Sequence, residues 1–215
     1  MGKMGVDAYI EYLEEAHCLI YENRDYVTRL DAETGDGDHW ANMNMGFEKL
    51  LAKKESLVSM ELPELFRECG MTMMSGVGGS AGVLYGSAYL ALAKAFAGRE
   101  FIDDAGIALY LNAQAEAIMK RGKVKPGNKT MLDPLYEAKL AVDRAMEQGF
   151  HGASLLSALR DGADKGMRAT ADMPACKGRA CYRPDKGVGH LDPGAVTMEY
   201  QLRTFADKLL EEESE

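Results

Sequence analysis

The chain has 215 residues, of which 47% are apolar and 27% charged, and its formal net charge is −9. This composition predicts a single globular domain over residues 1–215, without a nucleic-acid-binding face, which would need clustered Lys and Arg. No apolar run reaches the ~18 residues that cross a bilayer, and the acidic N-terminal stretch does not resemble a signal peptide. The four cysteines form no CxxC pair, so reduced thiols in a cytoplasmic protein are the simplest interpretation.

Ala, Leu and Met dominate the apolar residues, which favours helix over strand. Eight segments have apolar residues at helical spacing. In chain order they begin near Val6, Met43, Leu62, Leu84, Asp103, Asp133, Gly152 and Asp192. The sixth and eighth start with Asp-Pro, which predicts an Asp N-cap followed by Pro in the first turn. We therefore predict an all-α fold, a bundle or closed barrel, whose irregular stretches near 22–38 and 173–191 form a site at one end.

The stretch "GDGDHWANMNMG" follows Asp31 closely and brings three acids, Asp31, Asp36 and Asp38, within eight residues. Crowded carboxylates suit Mg²⁺ or Ca²⁺, because a dication removes their mutual repulsion. An EF-hand is excluded, since its ligand and Gly positions fall on Trp40 and Ala41 when Asp36 is counted as the first. Three acids would suit Mg²⁺ ions that share phosphate oxygens with a nucleotide. A solvated Asx-Gly turn that caps the next helix fits the same pattern.

The stretch "SGVGGSAGVLYGS" at 75–87 places glycines and serines at a helix start. Free backbone N–H groups at such a start bind anions. Neither a Walker loop nor a Rossmann fingerprint matches, because no Gly-Lys-Ser/Thr follows and no strand precedes. The alternative is a helix breaker followed by close packing of small residues.

Two further loops carry basic residues. The loop "RGKVKPGNKTMLDP" is either a solvated turn or a loop that closes on a nucleotide. The stretch "GRACYRPDKGVGHLDPGA" contains Arg179, Arg183 and His190, and an Arg near phosphates can stabilise charge during group transfer. A lone histidine such as His190 is more often a hydrogen-bonding loop residue than a catalyst. An acidic loop, a Gly-rich loop and an Arg loop together are what binding of a Mg-nucleotide requires.

In this order and with this spacing, four motifs resemble the L subunit of dihydroxyacetone kinase: "LDAETGDGDHWANM", "GVGGSAGVLYG", "RGKVKPGNKTMLDPL" and "GRACYRPDKGVGHLDPGA". The resemblance implies a closed barrel of eight antiparallel helices, with the nucleotide site in loops at one end. It implies that Asp31, Asp36 and Asp38 hold two Mg²⁺ ions against the phosphates of ADP or ATP. It also implies a catalytic role for Arg179. The nucleotide contacts that it implies are His39, Trp40, Ala41, Asn42, Gly79, Ser80, Ala81, Gly122, Thr130, Met131, Arg179, Asp192, Pro193 and Gly194.

Three positions depart from the family pattern. Trp40 stands where Gly is usual, and Asn128 replaces the usual Asp. Residues 79–82 read Gly-Ser-Ala-Gly, where Gly-Ala-Ser-Gly is usual, so the Ser80 hydroxyl stands one residue earlier than the usual one. None of the three changes affects a metal-binding aspartate.

The resemblance also implies a reaction and partners. The phosphoryl group would pass to dihydroxyacetone, or a related small keto-sugar, bound on a separate K subunit. A phosphotransferase-system protein would rephosphorylate bound ADP, or ATP would exchange as a substrate. The alternatives are an ATP-dependent kinase subunit for another polyol or ketose, a fatty acid kinase domain, in which Thr usually replaces His39, and an ADP-sensing protein that contacts a transcription regulator.

Overall fold

The computed structural model describes residues 2–214, and this part of the chain is helical, without a β-strand. The α-helices are α1 (Val6–Glu22), α2 (Arg24–Thr34), α3 (His39–Leu51), α4 (Lys54–Leu57), α5 (Leu62–Gly76), α6 (Gly79–Ala95), α7 (Asp104–Gly122), α8 (Leu132–Glu147), α9 (Gly152–Ala169) and α10 (Pro193–Ser214). Two 3₁₀ turns, Thr170–Asp172 and Arg179–Tyr182, lie between α9 and α10. None of these helices is long and apolar enough to cross a membrane.

Eight of the helices form a closed ring. Neighbours around the ring are α1, α3, α5, α6, α7, α8, α9 and α10, and α10 returns to pack on α1. The four-residue helix α4 contacts α1, while α2 packs against α3 and α10. The eight ring helices are the eight segments predicted from apolar spacing, so the expected closed helical barrel is confirmed.

Neighbouring helices in the ring run antiparallel, so at each end of the barrel the start of one helix lies beside the end of the next. The ring centroids of Tyr21, at the end of α1, and Trp40, at the start of α3, are 6.0 Å apart. Thr170, after α9, accepts a hydrogen bond at its hydroxyl from the backbone N–H of Asp192, just before α10. The starts of α3, α6, α8 and α10 therefore meet the ends of α1, α5, α7 and α9, and the loops at this end form the walls of one cavity.

Aromatic side chains fill the middle of the barrel. Tyr110 of α7 and Phe205 of α10 stack with their ring centroids 4.4 Å apart. The buried hydroxyl groups of Tyr9 and Tyr110 form a hydrogen bond of 2.9 Å. Burial of apolar area on this scale supplies most of the stability of a helical fold.

Helices α8 and α9 pack closely, because α9 presents glycine to α8. A Cβ atom at Gly166 would lie 2.7 Å from the Cα atom of Pro134, and one at Gly162 would lie 2.8 Å from that of Ala138. Both distances are too short for real side chains, so the absence of a Cβ permits this approach. The contact at Pro134 fixes the start of α8 beside the cavity.

Two local predictions are wrong. The stretch near 22–38 is mostly the helix α2, because Val27 and Leu30, one turn apart, form a small core with Val196 of α10. Asp133 is not an N-cap, since α8 begins one residue earlier, at Leu132. Its carboxylate instead accepts hydrogen bonds from the backbone N–H groups of Gly127 and Thr130, at 2.6 and 2.7 Å, and so folds the preceding loop.

Candidate nucleotide and metal site

A cavity of about 690 Å³ opens at the end of the barrel where these loops meet. This volume is in the range of small-molecule and cofactor sites. The predicted site residues that line it are Asp31, Asp36, Asp38, His39, Asn42, Gly79, Ser80, Ala81, Gly122, Thr130, Met131, Arg179, Asp192, Pro193 and Gly194. Trp40 and Ala41 are the two predicted contacts that do not belong to this lining.

The three aspartates come together on one wall. One carboxylate oxygen from each of Asp31, Asp36 and Asp38 lies within 4.8 Å of the others. Asp31, only 9% exposed at the end of α2, accepts a hydrogen bond from the backbone N–H of His39 at 3.0 Å. Asp36 and Asp38 lie in the turn between α2 and α3, where Gly37 has a φ of 75° that favours glycine. A set of carboxylate oxygens at this spacing fits a hard dication such as Mg²⁺.

Arg179 lines the cavity beside the acidic turn that follows α2. It begins the 3₁₀ turn Arg179–Tyr182, and its guanidinium forms an ion pair with the Asp36 carboxylate. Its side chain remains 68% exposed. The pair joins the loop at 173–191 to the acidic wall, and a cation at this position can also reach an anionic ligand between them.

The start of α6 forms a second wall. Gly78 precedes the helix and Gly79 opens it with a φ of 64°, a conformation that side chains rarely adopt. Ser80 and Ala81 follow within the first helical turn, and their N–H groups have no partner within the helix. An anion is stabilised at such a helix start.

The third wall holds the start of α10. The Asp192 carboxylate accepts a hydrogen bond from the backbone N–H of Ala195 at 2.8 Å, so the predicted Asp-Pro helix start is confirmed here. Burial raises the pKa of Asp192 to about 7, against the opposing effects of that hydrogen bond and of the Lys129 charge. Met131, before α8, lies close to Gly194 on this side.

His39 and Trp40 adjoin the acidic turn but face different surroundings. The His39 imidazole lies 2.9 Å from the Thr197 hydroxyl of α10, and burial lowers the His39 pKa. Trp40 packs against Tyr21 and the apolar core, and its indole nitrogen is buried without a hydrogen-bond partner among residues 2–214. This packing accounts for a large side chain at position 40, where the resemblance implied Gly. A nucleotide contact of Trp40 stays a prediction.

The loop before α8 is not the solvated turn that was one of its two predicted forms. Asn128 is buried, and its side-chain oxygen accepts the backbone N–H of Lys125 at 3.0 Å. The amide oxygen does this without a charge, so Asn suffices at a position where the resemblance implied Asp. Lys129 is also buried and lines the cavity. Sequence reasoning missed it as a site residue, although its place directly before Thr130 in the motif was a usable signal.

The comparisons with known proteins agree with this geometry. The DAK2 domain matches residues 33–207. The chain belongs to the DAK2 domain family. This DAK2 protein is 37% identical over 202 residues to the ADP-binding subunit of the PTS-dependent dihydroxyacetone kinase of Lactococcus lactis, across 94% of this chain and 97% of that subunit. It is 30% identical over 197 residues to the ADP-binding subunit of the PEP-dependent dihydroxyacetone kinase of Escherichia coli, across 92% of this chain and 94% of that subunit.

A solved structure shows the same fold. The dihydroxyacetone kinase of C. freundii in complex with AMP-PNP and Mg²⁺ superimposes on this DAK2 protein with a TM-score of 0.70 and 22% sequence identity. The match covers 92% of this chain but only 33% of that longer chain. The expected resemblance to the L subunit of dihydroxyacetone kinase and the all-α fold are therefore both confirmed.

Proposed function

We propose that this protein is the nucleotide-binding subunit of a dihydroxyacetone kinase, a phosphotransferase. It would hold ADP or ATP with Mg²⁺ and pass a phosphoryl group to dihydroxyacetone, or a related small keto-sugar, on a separate K subunit. The observation that carries the proposal is the cluster of Asp31, Asp36 and Asp38 within 4.8 Å on the wall of a cavity that also holds a Gly-rich helix start.

The three carboxylates are the residues that would hold the metal. They offer oxygen ligands, which Mg²⁺ prefers, and they leave positions for water and for phosphate oxygens. Two Mg²⁺ ions are part of the proposal, and bound Mg²⁺ would neutralise the charge of the phosphates. The buried Asp31 is already oriented by the His39 N–H, so this ligand needs no rearrangement to bind.

The remaining walls position the nucleotide. The backbone N–H groups of Gly79, Ser80 and Ala81 would bind the phosphates, as anions bind at helix starts. The predicted contacts at Gly122, Thr130, Met131 and the Asp192–Gly194 turn would hold the rest of the nucleotide. Phosphoryl transfer depends mainly on positioning and on stabilisation of charge.

Arg179 is proposed as the catalytic residue. Arg179 lines the cavity and its side chain is 68% exposed, so its guanidinium is accessible to a phosphoryl group that leaves for an acceptor on another subunit. Negative charge that develops during transfer would be stabilised by a guanidinium held there. The ion pair with Asp36 keeps the Arg179 side chain near the acidic wall before nucleotide binds.

The names of the relatives support the proposed phosphoryl donor and partners. The kinase of L. lactis is named PTS-dependent and that of E. coli PEP-dependent. This protein covers nearly the whole of their ADP-binding subunits. We infer that ADP stays bound and is rephosphorylated by a phosphotransferase-system protein in the cytoplasm. ATP as an exchanging donor, a second ketose substrate and contact with a transcription regulator remain further predictions of the same site.

Calorimetry with ADP tests the nucleotide site directly. We expect binding with Mg²⁺ and little binding with EDTA, and equal affinity under the two conditions would refute the site. Transfer is tested by mixing the protein with the other subunits and the phosphotransferase proteins of the L. lactis kinase. Formation of dihydroxyacetone phosphate from phosphoenolpyruvate, without added ATP, would support the proposed donor, whereas turnover only with excess ATP would refute it.

A further inference from the structure

Lys129 occupies an unusual position for a lysine. It lies in the loop between α7 and α8, is only 2% exposed, and has a φ of 59°, in the left-handed region. Lysine is almost never fully buried unless its charge is paired. Among the described residues 2–214, however, no carboxylate forms an ion pair with its ammonium group.

The ammonium group is held by backbone carbonyls instead. Lys129 Nζ donates a hydrogen bond to the carbonyl oxygen of His190 at 2.5 Å and another to that of Thr170. Thr170 follows α9, while His190 lies just before α10. One side chain thus joins three segments that are far apart in the sequence.

The segment before α10 is fitted closely around the lysine stem. Gly187 has a φ of 68°, and a Cβ atom there would lie 3.2 Å from Lys129 Cε. Burial lowers the pKa of Lys129, while the charges of nearby carboxylates, Asp192 first, oppose this shift. An ammonium group kept in a buried site at such a desolvation cost needs a compensating role.

The joined segments are walls of the cavity. Thr130 and Met131 follow Lys129 directly, and Asp192 lies two residues after His190. All three line the cavity. The distance between these walls therefore depends on the two hydrogen bonds of one ammonium group.

We infer that Lys129 is a positioning residue for the nucleotide, which fastens the Thr130–Met131 segment to the segment before α10 and so sets the width of the cavity. The inference rests on the proposed function, because it assumes that the cavity binds Mg-ADP. Lys129 acts through its neighbours, and its loss widens the cavity without removing a predicted nucleotide contact.

Lys129→Met tests the inference, because it keeps the apolar stem and removes the charge. Lys208→Met is the matched control. Lys208 is also a lysine of low exposure, 7%, but its ammonium pairs with Glu11 at 2.5 Å on the wall formed by α1 and α10, and it does not line the cavity. We expect both variants to melt below the wild type. We expect Lys129→Met to bind Mg-ADP at least tenfold more weakly, and Lys208→Met to stay within twofold of the wild type.

Two results would overturn the inference: Mg-ADP affinity of Lys129→Met within twofold of the wild type, or an equal loss in Lys208→Met. If Lys129→Met does not fold, the affinity of Lys129→Gln for Mg-ADP tests the inference instead. Its donor is one atom closer to the backbone and cannot reach both carbonyls, so we expect at least a fivefold loss, and unchanged affinity overturns the inference. Failure of the wild type to bind Mg-ADP would refute the proposed function instead, which keeps the two failures distinct.

Discussion

Replacing Asp36 by Asn should have opposite effects on the empty protein and on its complex. Asp36 belongs to two of the three carboxylate pairs in the cluster, whose oxygens lie within 4.8 Å. In water, two unit charges at this separation repel by about 0.9 kcal/mol. The substitution therefore relieves about 1.7 kcal/mol of repulsion and loses the exposed ion pair with Arg179, which contributes about 0.5 kcal/mol. The net gain of about 1 kcal/mol should raise the melting temperature by about 2–4 °C.

The complex should change in the other direction. Loss of one charged ligand should weaken the binding of Mg-ADP by at least about 10–100-fold, because loss of a residue that only supports a ligand already costs that much. Thermal melting with EDTA at low ionic strength measures the first effect, and calorimetry with Mg-ADP measures the second. High salt should reduce the gain in melting temperature, because it screens exposed charges.

Asp207→Asn is the control for the loss of an ion pair alone. Asp207 pairs with Arg160 at 2.9 Å, and both side chains are 45% exposed, but the pair lies outside the acidic cluster and the cavity. We expect no rise in its melting temperature and no change in Mg-ADP affinity. A fall in the melting temperature of Asp36→Asn, together with undiminished Mg-ADP binding, would refute both the repulsion and the metal site.

Three further predictions concern single residues. Trp40→Gly should lower the free energy of unfolding by about 2–3 kcal/mol through lost packing and change Mg-ADP affinity less than threefold; a larger loss in calorimetry would make Trp40 a nucleotide contact. Asn128→Asp should leave affinity and melting temperature nearly unchanged, because the carboxylate can accept the same Lys125 N–H, and a loss above fivefold would contradict this. The pKa of Asp192 is raised to about 7 in the folded protein. Between about pH 4 and 7 the folded chain therefore keeps a proton on Asp192 that the unfolded chain releases. The free energy of unfolding should fall as the pH rises through this range. Asp192→Asn should flatten this fall in urea titrations of the nucleotide-free protein, and an unchanged slope would contradict the assignment.

Periodicity predicted the ring because each of its helices buries a regular stripe. It did not predict α2, where two apolar core residues, Val27 and Leu30, lie in a segment that is otherwise mostly polar or charged. A helix of this kind is stabilised by contact with α10, and such contacts are absent from a local pattern.

The acidic and Gly-rich motifs located the cavity, since both lie at helix ends that the barrel brings together. The surroundings of Trp40 and Lys129 could not be predicted in the same way. Trp40 follows His39 directly, but one step along a helix turns a side chain by about 100°, so His39 lines the cavity and the partly buried Trp40 packs against the core. The burial of Lys129 depends on carbonyls more than 40 positions away, which no local motif contains.

The closed ring also determines how this domain can be joined to others. Gly2 packs against the backbone near Leu209, late in α10, so both ends of the described chain lie at the end of the barrel opposite the cavity. Helix α10 has 22 residues and is about 33 Å long. A second domain fused at either end would leave the cavity open, but a linker of about ten extended residues would be needed to reach the mouth. Separate subunits and a chain about three times longer, as in the C. freundii kinase, can therefore carry the same barrel without a change in its internal packing.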